Sequence, residues 1–361
     1  MYATPIPGLT VGDVFILLSW YLLIKKEKKI VIEKSLIFLI IYISISFVVF
    51  LINDSLIRMT TTLRYIIYLI IILYFPTVEE NKEYAYKVMN KAGMFSMILL
   101  FVQFVALNLF GIIVPGLLTF LPLIDDALND YSEGFKIAGR CMSCFAEPSM
   151  YAVYIVLFLT YRLFLYEGIS YKAMKIPFLI SLSIIFCSSF TGMIGMAAVW
   201  GLKLFYEIKS GRLLLSNAIF IIIVISAIVG ITLFTSAGEY VTNEDVYETQ
   251  SAGRFVGYIF IMEDMYKSLF SILFGNGMND IGDEFTYLPG WPRMVFYFGV
   301  VGSIIYIVSF CKCAKRNTLS FVILIVMAGL NIGTEMGFGP QLLPYMLLMM
   351  LSRRSQYIKG T

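Results

Sequence analysis

Residues 35–52 read SLIFLIIYISISFVVFLI, eighteen positions without a charge. A helix needs roughly 20 apolar residues to cross the hydrocarbon core of a bilayer, so this stretch predicts a transmembrane helix. Charge flanks it on both sides, Lys34 before and Asp54 after, and the same alternation of apolar run and short charged connector repeats along the chain. With 59% hydrophobic and 14% charged residues over 361 positions, 30 of them Phe and 24 Tyr, the composition excludes an ordinary water-soluble domain. The fold class it predicts is all-α: a single polytopic membrane domain over residues 1–361 with about eleven spans. These fall near 8–24, 35–52, 64–76, 92–114, 149–166, 176–189, 191–206, 216–235, 292–311, 318–336 and 341–351. The first apolar run lacks a basic leader and a small-residue cleavage site, so it reads as a span.

Charge orients the bundle. Placing the carboxyl terminus inside gathers 20 of the 27 basic residues on one face, in clusters such as Lys25–Lys34, Lys82–Lys91, Arg162–Lys175, Lys203–Arg212 and Lys312–Arg316. The positive-inside rule then puts the amino terminus outside and the carboxyl terminus in the cytoplasm. The seven others, Arg58, Arg64, Lys136, Arg140, Arg254, Lys267 and Arg293, face outward, as do the two long connections at about 115–148 and 236–290. The inner connectors are too short for a nucleotide-binding domain, and no glycine-rich phosphate loop with its lysine occurs, so ATP does not drive any chemistry directly. No nucleic-acid partner is expected. The chain has no histidine, which removes the commonest metal ligand and general base; no cofactor is expected.

The outer segment RCMSCFAEPS, residues 140–149, concentrates polar chemistry beside hydrocarbon, where ionisable groups are functional candidates by default. Pro148 suits the first turn of a helix, so the fifth span starts at Glu147-Pro148-Ser149. A helix amino terminus favours phosphate, and Arg140 can fold back to grip it in a bidentate fork; Ser149 is a candidate substrate contact. Glu147 reads equally as a carboxylate capping its own helix or as one that takes a proton from an incoming hydroxyl. Cys141 and Cys144, without a second pair or a histidine, read as small buried hydrophobes.

Arg254 opens an amphipathic run, RFVGYIFIMEDMYKSLFSILFGNGMND, with helical spacing and a terminating Gly275-Asn276-Gly277 turn. A second outer arginine on a rigid element fits a diphosphate clamp, with Asn276 a candidate substrate contact; the alternative is a charge snorkelling to water. Arg293, after Trp291-Pro292, reads chiefly as an interfacial anchor and secondarily as a substrate ligand. Glu335, in NIGTEMGFGP at the outer end of the tenth span, either faces the same cavity or reaches the headgroup layer. Asp13, near the outer end of the first span, is expected to meet water.

Four places together resemble the bacterial O-antigen and capsular repeat-unit polymerases, the Wzy type, within the polymerase and O-antigen ligase superfamily. They are Arg140 with Glu147-Pro148-Ser149, Ser188 to Gly192 between two short spans, Arg254 with Phe274-Gly275-Asn276-Gly277, and Phe298-Gly299-Val300-Val301-Gly302. The resemblance implies a metal-independent glycosyltransferase of the GT-C class in the bacterial plasma (inner) membrane. It implies polyprenyl-diphosphate-linked oligosaccharides as substrates, and a chain-length regulator and a flippase as partners beside membrane lipid. By the same resemblance Arg140 and Arg254 bind phosphate or sugar, and Glu147 is the loop-end carboxylate. The ligase branch has a histidine eleven residues before its glycine pair; here that position is Leu288, which argues for polymerisation. The arginine-to-glycine spacing of some polymerases is met by neither Arg140 nor Arg254, and Glu147 and Glu335 are the candidate bases. A polysaccharide flippase or other transporter is the rival reading, and an assembly scaffold the third. Transporters usually carry internal repeats and broken midplane helices, and no repeat is visible.

Overall fold

The computed structural model describes residues 10–26, 31–52, 59–75, 82–116, 140–165, 171–211, 259, 268–278, 288–314 and 317–352. Most of these are helical, with no strand among them. The elements are α1 (Val11–Lys26), α2 (Ile37–Ile52), α3 (Met59–Leu73), α4 (Lys82–Phe110), α5 (Pro148–Leu165), α6 (Tyr171–Phe186), α7 (Phe190–Lys209), α8 (Leu269–Phe274), α9 (Gly290–Ala314), α10 (Thr318–Leu330) and α11 (Leu342–Leu351). Three helical stretches, Lys34–Ile52, Glu83–Phe110 and Gly290–Ala314, are long and apolar enough to cross a membrane, and shorter apolar helices accompany them. The expected span at 216–235 and most of both long loops lie outside the described residues.

Two compact units make up the chain: a mid-chain unit built on Glu83–Tyr247 and a terminal unit built on Thr4–Lys82 with Glu248–Arg354. In the mid-chain unit α5 is the axis. Its sequence PSMYAVYIVLFLTYRLFL is apolar all round and its side chains are buried on nearly every face, which is how a central bundle helix reads. Small residues let its neighbours approach. A Cβ on Gly192 of α7 would lie 2.6 Å from the Ala152 methyl, and one on Gly93 of α4 2.5 Å from the Phe158 ring. Hydroxyls stitch the helices where water is scarce: Tyr151 donates to Ser183 Oγ at 2.7 Å and the Trp200 indole to Ser181 Oγ at 2.9 Å. Lys203 was counted with the inner connector, yet it lies within α7, buried and 2.7 Å from the equally buried Glu207. The charge tally assigns a lysine near the end of the expected 191–206 span to the inner face and cannot see a carboxylate one turn away.

In the terminal unit α9 is central and broken. Gly299 leaves the helix (φ 60°, ψ −169°), and the Gly275–Gly277 turn after α8 fits into the break. The amides of Asn276 and Gly277 donate to the carbonyls of Phe296 and Tyr297 at 2.8 and 3.1 Å, acceptors that the interrupted helix no longer serves. The Tyr42 hydroxyl of α2 donates to the carbonyls of Phe298 and Phe274, at 2.7 and 3.1 Å. α10 ends at Leu330, several residues before the expected end at 336, because Gly333, Gly337 and Gly339 favour turns over helix. Asn331, Thr334 and Glu335 therefore stand in the connection to α11.

Candidate functional site

Residues 140–149 fold as a tight cap on the mid-chain unit. Ser143, fully buried, holds a left-handed backbone (φ 56°) that a non-glycine residue adopts only when its surroundings impose it. Gln103 of α4 imposes it. Its Oε1 accepts the Ser143 amide at 2.7 Å, and its Nε2 donates to the carbonyls of Ser143 at 3.0 Å and Val114 at 3.1 Å. The chain then turns through Phe145 and enters α5, whose first helical bond runs from the Tyr151 amide to the Glu147 carbonyl. The helix starts where the sequence placed it. The Glu147 carboxylate, half-buried, accepts the Ser149 hydroxyl at 2.7 Å. Cys141 and Cys144 are free thiols, the first buried, and burial pushes the Cys141 thiol up to about 12.

Arg140 donates from Nη2 to the Ser188 carbonyl at 2.8 Å. Ser188 is the other non-glycine residue with positive φ among the described residues (53°), in the turn between α6 and α7. Its neighbour Cys187 donates its thiol to the Ile184 carbonyl at 3.1 Å, with the Pro148 carbonyl 3.9 Å away. Arg140 and the first turn of α5 thus both abut the Cys187–Ser188 turn, and two of the four sequence motifs meet in one unit. Comparison with protein-family profiles, curated proteins and solved structures gave no match. The geometry stands on its own residues.

The terminal unit joins the other two motifs, Phe274–Gly277 and Phe298–Gly302, at the α9 break. Asn276 serves there through its backbone amide. Arg293 and Glu335, separate candidates in the sequence, form an ion pair. Arg293 Nε also donates to the Leu288 carbonyl at 3.1 Å, and its guanidinium lies 6.0 Å from the centre of the Tyr297 ring. Arg254 lies outside the described residues. The described residues hold no group of His, Cys, Asp and Glu suited to a metal ion.

Two features escaped sequence reading. Gln103 is a lone polar residue in FVQFVAL, and intramembrane position alone marks it as inward-facing. Asp13, expected in water, is 5% exposed and lies 3.3 Å from Arg64 Nε, with the Tyr68 hydroxyl on its other oxygen. Hydropathy reads one helix at a time, whereas α3 brings both partners to α1.

Proposed function

We propose that the chain is a membrane glycosyltransferase: a polymerase that transfers a growing glycan from its polyprenyl diphosphate carrier onto a lipid-linked oligosaccharide repeat unit. It works in about eleven spans of a GT-C type, at the outer face of a bacterial plasma membrane, with its amino terminus outside. The observation that carries the reading is Arg140, a guanidinium fixed at a strained turn that also touches the first residue of α5. Cation and helix amino terminus beside one another suit a departing diphosphate. Arg254 is proposed as the second cation and Arg293, Ser149 and Asn276 as substrate contacts.

Of the two carboxylates, Glu147 is bonded to a neutral hydroxyl and Glu335 to a guanidinium; Glu147 is therefore assigned the base. It takes the proton of the acceptor hydroxyl, whose oxygen bonds the anomeric carbon as the bond from that carbon to the diphosphate breaks. The diphosphate leaves with both electrons, and the cations offset its charge. A transporter reading is favoured by one feature, the break in α9, since discontinuous helices line many translocation sites. Purified protein supplied with a lipid-linked repeat unit separates them. A polymerase yields a glycan ladder that Arg140→Ala reduces at least about a hundredfold; a transporter moves the unit across liposomes and yields no ladder from wild type, which overturns the proposal.

A further inference from the structure

We infer that Arg64 binds the phosphate of a membrane lipid, held ready by Asp13 and Tyr68; the inference does not rest on the polymerase reading. Thr10, Asp13 and Arg64 lie near the starts of α1 and α3, at the end that charge distribution puts outside. The Asp13 carboxylate is buried and occupied. Its Oδ2 accepts the amide and the hydroxyl of Thr10, each at 2.8 Å, and its Oδ1 accepts the Tyr68 hydroxyl. Arg64 approaches this carboxylate through Nε, 3.3 Å from Oδ2, while 30% of its side chain remains exposed.

Asp13 therefore holds the Nε edge of the guanidinium by charge, as an ion pair without a hydrogen bond. Four of its five N–H donors belong to the terminal Nη groups, which have no hydrogen-bond acceptor among the described residues. That edge is the fork that pairs with two phosphate oxygens. The exposed residues near Asp13 and Arg64 in the chain are apolar: Phe15 and Val14 of α1 are 63% and 43% exposed, Met59 and Leu63 of α3 48% and 45%. A cation on helices whose exposed side chains are apolar favours an anion that carries its own acyl or prenyl chain over a soluble one. Positive charge is scarce at this end, so the site is not one of many equivalent cations.

Native mass spectrometry of the full chain in detergent tests this, with phosphatidylglycerol as probe and dioleoylglycerol and inorganic phosphate as separate arms. Wild type should retain phosphatidylglycerol but not dioleoylglycerol, and equimolar inorganic phosphate should not displace it. Arg64→Gln should weaken retention about tenfold and Arg64→Lys less, because a lysine keeps the charge and loses the fork. Equal retention by Arg64→Gln, or displacement by inorganic phosphate, overturns the inference. Should Arg64→Gln fail to fold, hydrogen–deuterium exchange on wild type decides. Protection of residues 59–73 on adding phosphatidylglycerol supports the site, and unchanged exchange there overturns it.

Discussion

Gln103 shows how much one side chain can hold. It replaces water for a buried backbone segment, taking the Ser143 amide and giving to the Ser143 and Val114 carbonyls. Gln103→Leu keeps the volume and strands those groups, at a cost of about 1–3 kcal/mol for each buried group left unmade. The variant should melt roughly 5 °C or more below wild type in detergent. A melt within about 1 °C would show that other contacts hold the cap. Cys141 reports on the same cap by chemistry. With its thiol near 12, roughly one molecule in ten thousand is thiolate at pH 8. Iodoacetamide should therefore leave Cys141 unmodified in native protein and modify it in dodecyl sulfate. Because the raised value keeps the neutral form, each unit of added pH should speed native alkylation about tenfold; a rate as fast as in denatured protein at pH 8 would mean the site is open. Glu147→Gln keeps the bond to Ser149 and removes the proposed base, so on that reading polymerisation should fall about a hundredfold or more, whereas Glu335→Gln should fall less. The reverse order in a ladder assay would move the base to Glu335.

Elements were legible where hydropathy alone makes them. The α2 run and the Pro148 start of α5 sit within two residues of their expected places, since a continuous apolar stretch and a helix-starting proline need no partner to be read. The α9 break was not legible. FYFGVVGSIIYIV is apolar throughout, and only the turn at Gly275, distant in sequence, explains why Gly299 departs from helix. The motifs that the resemblance singled out, Phe274–Gly277 and Phe298–Gly302, are thus two halves of one packing device. A Cβ at Gly299 would lie 2.4 Å from the Gly275 amide nitrogen and 2.5 Å from the Leu273 carbonyl, and the residue has φ 60°. Gly299→Ala should destabilise by about 3 kcal/mol or more, through strain and the loss of the turn's hydrogen bonds. Gly329→Ala, on a helical position with nothing within 4 Å, is the control and should change stability by less than about 0.5 kcal/mol. Equal melting of the two variants would mean that the break is not a fixed feature.

At the scale of the whole molecule, orientation is the property on which the chemistry depends. On the proposed function, Arg140 on the wrong side of the membrane would meet no exported repeat unit. The charge count that sets it is lopsided enough to survive small errors in span number, but not a missed span: one helix more or fewer exchanges the faces of every later loop. Residues 212–258 carry the expected eighth span and lie outside the described segments, so the parity of the chain turns on that stretch. Lys203 adds a physical check. It is neutralised within α7 by Glu207, which removes one cation from the inner tally and leaves the bias intact. With the amino terminus outside and an odd number of spans, a green fluorescent protein fused after Thr361 should fluoresce, and alkaline phosphatase fused there should be inactive. A truncation fused to alkaline phosphatase after Ile137 should be active, and one fused after Lys209 inactive. Active phosphatase at the carboxyl terminus, with an active fusion after Ile137 and an inactive one after Lys209, would mean an even span number, placing the error between 210 and 352. Inactive phosphatase after Ile137 would invert the mid-chain unit and remove the outer-face site altogether.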